Sequence, residues 1–268
     1  MALPESNAIA AIESIEFFIT LLCQDTDFTD RYKFAADDTY PSSEKLYDWE
    51  LGYDYSSPRF SAGVNLYYMK YKDQLVPTGM VNDDSNALNT NVPDSYRRGV
   101  ELSASWRATG WFTVGANATF SQNRIENYVD ALKDSPTYGK ELGDMTIAYS
   151  PDVIANAFLN FHHRGFEAVF HTQHVGKQYF TNNENDALSL DAYCVTNLNL
   201  AYTFRTRSAR SVRLGLLINN LFNAEYESNG YGYSYMNTWS GPAPVRIDEA
   251  YYFPQAPLNV LANVTVKF

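Results

Sequence analysis

Ala256–Phe268, APLNVLANVTVKF, is the stretch of sequence that decides the fold. In an extended chain successive side chains point to opposite faces. One face of this stretch is then entirely apolar, with Leu258, Val260, Ala262, Val264, Val266 and Phe268. The other face is mostly polar, with Asn259, Asn263, Thr265 and Lys267. This pattern is typical of a strand in a membrane barrel, where lipid-facing and lumen-facing side chains alternate.

The same alternation recurs along the chain and predicts about nine long strands. Its clearest example is YDWELGYDY, residues 47–55, in which five aromatic or aliphatic residues alternate with four acidic residues or glycine. Short turns such as Ser56-Ser57-Pro58 alternate with long segments such as 123–150 and 223–254. Outer-membrane barrels have short periplasmic turns and longer extracellular loops. We therefore predict an all-β fold, an antiparallel up-and-down meander that forms part of a transmembrane β-barrel.

Residues 1–26 follow a different pattern. Their apolar residues recur at intervals of three and four, at Ile9, Ile12, Ile15, Phe18, Ile19 and Leu22. This spacing predicts a short amphipathic helix, and hence two segments: an atypical N-terminal segment, 1–26, and a barrel segment, 27–268. Bacterial single-chain barrels have an even number of strands. With about nine, we expect the barrel to be incomplete on its N-terminal side, unless residues 8–22 supply a strand.

Composition excludes several classes of function. The formal net charge is −11 and no stripe of Lys and Arg is present, which argues against binding of nucleic acid. Cys23 and Cys194 form no paired spacing, so neither a disulfide framework nor a zinc site is predicted. No apolar window reaches the roughly 18 residues of a membrane-spanning helix, so any membrane crossing is by strands. Residues 1–23 lack the basic start of a usual signal peptide.

Few residues are candidates for a functional site. His171 and His174 are three apart, so in a strand they face opposite sides and cannot share one metal ion. We predict no metal, no cofactor and no catalytic residue. The aromatic segment before the last strand supplies the candidate ligand-binding residues: Tyr231, Tyr233, Tyr235 and Trp239. Packing within the loop, or a place in an aromatic girdle at the membrane interface, is the alternative for these four residues.

Two stretches near the C-terminus carry a family resemblance. LGLLINNLFNAEYESNGYGYSY, Leu214–Tyr235, and YYFPQAPLNVLANVTVKF, Tyr251–Phe268, resemble the end of TonB-dependent outer-membrane receptors, especially those of the Bacteroidetes. PSSEKLYDWELGY, Pro41–Tyr53, resembles a strand that begins the last third of such barrels. The resemblance covers residues 27–268.

The resemblance implies a place in the cell outer membrane, in contact with its lipid. It also implies a 22-stranded barrel with an N-terminal plug that takes up a scarce nutrient, such as an iron chelate, a corrinoid or a glycan. This chain is expected to be a C-terminal fragment without the plug, not competent for transport alone, with TonB engaged only through the missing plug. Phe268 is expected to be an assembly signal for the barrel assembly machinery. An outer-membrane barrel hydrolase and a soluble β-barrel binding module remain as alternatives.

Overall fold

A computed structural model describes residues 12–24, 42–81, 87–239, 241 and 243–268 of the chain, with backbone pairing alone described for residues 12–24. Long antiparallel strands dominate it. Their bounds are β1 Ile12–Gln24, β2 Glu44–Ser56, β3 Phe60–Val81, β4 Ala87–Arg107, β5 Phe112–Ile125, β6 Met145–Thr146, β7 Val153–His163, β8 Phe166–Val175, β9 Gln178–Tyr179, β10 Ser189–Leu190, β11 Tyr193–Phe204, β12 Ser211–Asn219, β13 Glu227–Asn237, β14 Val245–Pro254 and β15 Asn259–Lys267.

One large sheet contains most of these strands. Its order is β1-β2-β3-β4-β5-β7-β8-β11-β12-β15, and β6 adds to β5. The order follows the chain, as in an up-and-down meander, so the predicted all-β antiparallel fold is confirmed. All nine predicted strands are present as β2, β3, β4, β5, β7, β8, β11, β12 and β15.

The predicted N-terminal helix is wrong. Residues Ile12–Gln24 form β1, which pairs antiparallel with β2 from Ile12↔Tyr55 to Gln24↔Glu44. Pairing with β2 satisfies the backbone groups of both strands, a gain that the helical spacing did not take into account. Ile9, the first residue of that spacing, lies outside the described residues.

Three segments between the predicted wall strands contain more β-structure than the alternation predicts. β3 and β4 have 22 and 21 residues and pair up to Val81↔Ala87, well into the segment predicted as a loop. About 9 to 11 residues suffice to cross a bilayer at a tilt, so this hairpin extends beyond the membrane. The segment 223–254 folds into a separate hairpin of β13 and β14, and 178–190 contains the short β9 and β10 pair.

The two faces of the large sheet differ as the alternation predicts. Apolar side chains on the outward face are exposed along the strands, for example Leu51, Leu66, Leu102, Leu159 and Val264. The opposite face carries Glu50, Asn65 and Glu101, which meet one another across β2, β3 and β4. The sheet is thus a barrel wall with an apolar outer surface and a polar inner surface.

The larger buried apolar residues form two clusters at the loop end of the wall, while Ala168, Val195 and Ala201 are buried within the sheet. One cluster contains Val76, Val92, Ile125, Tyr128 and Ile147, and a second contains Phe180, Leu188 and Leu190. Ile125 continues the inner face of β5 and is fully buried, because residues of the following loop cover it. The loops after β5 and β8 therefore fold inward over the lumen.

Candidate functional site: a tyrosine face above the lumen

The hairpin of β13 and β14 has two faces of different character. Its two strands pair from Asn229↔Phe253 to Asn237↔Val245. On one face Gly230 and Gly232 lie against the rings and methyl groups of Phe180 and Leu188. A Cβ on Gly232 would stand 2.9 Å from Phe180 and 2.9 Å from Leu188, so glycine is what allows the hairpin to approach the loops this closely. This packing leaves the other face free.

The free face carries a set of aromatic rings, which we call the tyrosine face: Tyr231, Tyr233, Tyr235, Tyr251 and Phe253. Tyr231 and Tyr251 are cross-strand partners and stack with ring centroids 5.0 Å apart. Tyr233 lies 6.4 Å from Tyr235 and 6.4 Å from Tyr251. Aromatic pairs across strands stabilise a two-stranded hairpin, and here they also form a continuous exposed surface.

A single carboxylate organises the phenol groups of this face. Tyr233 donates a hydrogen bond to Glu249 Oε2 at 2.6 Å, Tyr251 donates to the same atom at 3.0 Å, and Tyr235 donates to Oε1 at 3.1 Å. These hydrogen bonds lower the pKa of Glu249, and the bonds to Glu249 raise the pKa of Tyr233 and of Tyr235. The carboxylate of Glu249 therefore remains charged, and the phenols of Tyr233 and Tyr235 remain protonated, over a wide pH range.

The geometry sets what this face offers to a ligand. Each of the three phenols uses its only hydrogen on Glu249, so its oxygen can only accept a further hydrogen bond. The face therefore combines flat ring surfaces with hydrogen-bond acceptors and a negative charge. Such a surface suits a ligand that has donor groups or a cationic group and an apolar or planar side.

Three of the four predicted ligand-binding residues come together on this face. Trp239 does not: it lies past the end of β13, is 95% exposed, and makes no ring contact with the tyrosines among the described residues. Sequence reasoning missed Glu249, Tyr251 and Phe253. Their spacing of two in the printed sequence was the available signal, since it places all three on one side of a strand.

Polar contacts hold the loops under the hairpin in place. Glu184 accepts a hydrogen bond from the backbone N–H of Thr146 at 3.0 Å and forms an ion pair with Arg124. Burial raises the pKa of Glu184, but the hydrogen bonds from Thr146 and the charge of Arg124 outweigh it, so the pKa is lowered. Asn182 is buried and donates to the carbonyl of Pro77 at 2.6 Å while accepting from Ala148 N–H at 2.7 Å. These contacts tie the loop after β8 to β3 and to the loop after β5.

Below the loops, the inner face of the wall contains an acidic recess. It has a volume of about 450 Å³ and is lined in part by Glu50, Asp54 and Glu101. Asn65 donates to Glu50 at 3.4 Å and to Glu101 at 3.3 Å, and so lies between the two carboxylates. Gly63 keeps the recess open, because a Cβ there would lie 2.3 Å from Asp54 Oδ1 and 2.9 Å from Ser103 Oγ. The recess has excess negative charge and suits a basic group.

Among the residues that the structure describes, no group of three or more His, Cys, Asp or Glu is placed to hold a metal ion. His171 and His174 pair with Phe158 and Ala155 of β7, three residues apart on alternating faces of the sheet. Cys194 is a free, exposed cysteine in β11. In the described ranges no helix is long and apolar enough to cross a membrane.

A comparison with protein families gives the identity of the wall. The sequence model described as TonB dependent receptor-like, beta-barrel matches residues 27–221. The chain belongs to the TonB-dependent receptor β-barrel family. Members of this family are outer-membrane transport receptors and not enzymes, so the hydrolase and soluble-module alternatives are not supported.

Solved structures share the fold of this TonB-dependent receptor segment. The ferric yersiniabactin uptake receptor FyuA from Yersinia pestis is 20% identical with a TM-score of 0.59, and the match covers 84% of this chain and 30% of that chain. The copper transporter OprC is 18% identical with a TM-score of 0.65, covering 93% and 36%. The ferric-catecholate import receptor Fiu from K12 E. coli is 16% identical with a TM-score of 0.60, covering 91% and 31%. The chain thus spans about a third of each of these structures.

Proposed function

We propose that this chain forms part of the wall and mouth of an outer-membrane receptor that binds a scarce nutrient and admits it to the barrel. The family match and the polar inner face of the wall support a transport role. The nutrient classes that we consider are an iron chelate, a corrinoid and a glycan. The names of FyuA and Fiu refer to ferric ligands and that of OprC to copper, which gives iron and copper compounds a place among the candidates.

The tyrosine face is the main observation that supports nutrient binding. It is a broad exposed aromatic surface on a hairpin whose other face is anchored by Phe180 and Leu188. Tyr231 and Tyr251 remain nearly half exposed although they stack on each other. A contiguous set of exposed aromatic side chains is typical of an interaction site. We infer that Tyr231, Tyr233 and Tyr235, with Tyr251, contact the nutrient, and that Trp239 contributes from the tip of the hairpin.

The acidic recess has a separate role in this proposal. In the receptor that we envisage, TonB acts through an N-terminal plug inside the lumen, and this chain alone does not transport. The recess at Glu50 and Glu101 would receive a basic side chain of that plug, because two carboxylates that share Asn65 gain from a bound guanidinium or ammonium group. Removing the nutrient site would therefore leave the plug contact unchanged.

Two further partners are proposed: outer-membrane lipid for the outer face of the sheet, and the barrel assembly machinery for the last strand. The exposed apolar residues of β15, such as Val260 and Val264, would lie against outer-membrane lipid. Phe268 follows β15 and is 93% exposed, so it is available to the barrel assembly machinery as the predicted assembly signal. Both roles are parts of the proposal.

The experiment for the ligand-binding role uses the 268-residue chain refolded in detergent micelles. Ferrioxamine B, which is a cationic iron chelate, cyanocobalamin and maltoheptaose represent the three nutrient classes, and binding is measured by microscale thermophoresis. We expect one class to bind, and Tyr231→Ala with Tyr251→Ala to weaken it by about tenfold or more, since two ring contacts are lost. Tyr138→Ala is the matched control, because Tyr138 is an exposed loop tyrosine outside the tyrosine face. If no class binds, or if the control weakens binding equally, the proposal fails.

A further inference from the structure

The end of the wall that contains the short turns carries a set of positive charges, which we call the basic rim: Arg59, Arg107, Arg164, Arg205, Arg207, Arg210 and Lys267. All seven side chains are exposed. None of them forms an ion pair with another described residue. In a chain with a formal net charge of −11, this concentration at one end is a strong asymmetry.

Few carboxylates accompany the basic rim. The segments that connect β2 to β3, β4 to β5 and β11 to β12 contain no Asp or Glu. Glu167, just after the turn from β7 to β8, is already engaged by Arg213 at 2.7 and 2.9 Å. Asp54 lines the acidic recess on the inner face. None of these carboxylates forms an ion pair with a residue of the rim in the described part of the chain.

Aromatic side chains lie beside these charges on the outward face. Trp106 and Trp111 are 51% and 48% exposed. The rings of Phe112 and Phe161 stack on each other nearby, with centroids 4.6 Å apart. In five places a basic residue is within two positions of an aromatic residue, as in Arg59-Phe60, Trp106-Arg107, Arg164 to Phe166, Phe204-Arg205 and Lys267-Phe268. Aromatic rings collect at the level of the lipid headgroups. The rim therefore lies at the depth of the headgroup layer and just beyond the rings.

One part of the rim is concave. A cavity of about 550 Å³ is lined by Arg205, Arg210 and Lys267 together with Thr203, Ser211 and the rings of Phe204 and Phe268. Guanidinium groups bind phosphate oxygens through paired hydrogen bonds, and hydroxyl groups add further donors. The adjacent rings offer an apolar surface for the acyl chains that a phospholipid carries.

We propose that the basic rim binds anionic phospholipid headgroups of the periplasmic leaflet, and that this contact fixes the depth and tilt of the wall. Short turns of outer-membrane barrels face the periplasm, and phospholipids form that leaflet. The aromatic belt favours a lipid surface over a soluble acidic protein, because a soluble partner would not require outward rings at the same level. Each positive charge near an anionic surface favours binding.

Tryptophan fluorescence tests this inference, because Trp106 and Trp111 lie beside Arg107 and Arg164. The full chain is refolded into vesicles of phosphatidylcholine that contain brominated phosphatidylglycerol or brominated phosphatidylcholine, and the two degrees of quenching give a relative binding constant. We expect phosphatidylglycerol to be preferred at low salt and the preference to disappear at high salt. Replacing Arg59, Arg107 and Arg164 together by Gln should weaken the preference, with up to about a fivefold loss for each charge, while Arg205, Arg207, Arg210 and Lys267 remain. The triple Arg→Lys variant should retain it.

A matched control replaces three exposed lysines at the opposite end, Lys45, Lys133 and Lys140, by Gln. It should leave the preference unchanged. Equal quenching by the two brominated lipids with the unaltered chain would overturn the inference, as would an equal loss in the control. Loss of the preference on addition of millimolar glycerol 3-phosphate would identify a site for free phosphate esters, which would also overturn binding of the lipid surface. Retained heat-modifiable migration in gels shows that the variants fold.

Discussion

Phe180→Ala is expected to release the β13 and β14 hairpin from the loops beneath it. Phe180 is 1% exposed and packs with Leu188 and Leu190 in the second buried cluster. Its ring lies 5.8 Å from that of Tyr252, and a Cβ on Gly230 would stand 2.7 Å from it. Replacing a buried Phe by Ala costs about 3–5 kcal/mol. Because part of the ring contacts its own loop and part contacts the hairpin, we assign about 2 kcal/mol to docking of the hairpin.

Hydrogen exchange measured by mass spectrometry in detergent micelles tests this value. A loss of about 2 kcal/mol should speed exchange in residues 227–254 by roughly 30-fold, while β7 and β8 exchange as before. Phe222→Ala is the control, because Phe222 is 75% exposed and its loss should change local stability by less than about 0.5 kcal/mol. Unchanged exchange in 227–254, or equal acceleration throughout the wall, would refute the packing of the hairpin on Phe180.

Further predictions concern titration and the loops. Burial raises the pKa of Tyr128 to about 12, so the native state keeps a proton that the unfolded chain releases near pH 10. The free energy of unfolding should therefore fall as pH rises from about 10 to 12. Denaturant melts of the parent chain should show this fall, and melts of Tyr128→Phe should lack it. The pKa of Glu249 is lowered, so its contribution to the stability of the hairpin is present above the usual value of 4.5 and is lost as pH falls below it. Glu249→Gln should lower the pKa of Tyr233, and tyrosinate absorbance should then appear at a lower pH. Glu184→Gln should speed hydrogen exchange in residues 181–191 by up to about tenfold, whereas Lys177→Ala at an exposed ion pair should change it little.

The strands of the wall were predictable because each has one face in an apolar solvent and one in a polar interior. Apolar residues therefore recur at every second position, as at Tyr47, Trp49 and Leu51, and this alternation predicts all nine strands. The same signal is present in β1, where Ile15, Phe17, Ile19 and Leu21 alternate and are register partners of Tyr53, Leu51, Trp49 and Tyr47. Apolar residues at Phe18 and Leu22 add a helical spacing that concealed the alternation.

The candidate site was predictable only in part. The spacing of Tyr231, Tyr233 and Tyr235 placed them on one face if extended, and the structure agrees. The partner strand was not recognised, because VRIDEAYYFP, Val245–Pro254, mixes charged, apolar and aromatic residues without a clean alternation. The role of Glu249 depends on cross-strand register, which spacing within one strand cannot supply. The inward fold of the loops likewise depends on contacts between distant segments, such as Asn182 with Pro77.

The central claim is that the sheet is a membrane wall with lipid on one face and a polar lumen on the other. Spin labels placed one at a time at residues 259–266 of β15 test it, in a chain whose Cys23 and Cys194 are replaced by Ser and which is refolded into vesicles. We predict that labels at Val260, Ala262 and Val264 collide mainly with oxygen dissolved in the lipid. Labels at Asn259, Asn263 and Thr265 should collide mainly with a water-soluble nickel chelate. The same accessibility at successive positions, or the reverse alternation, would contradict the account.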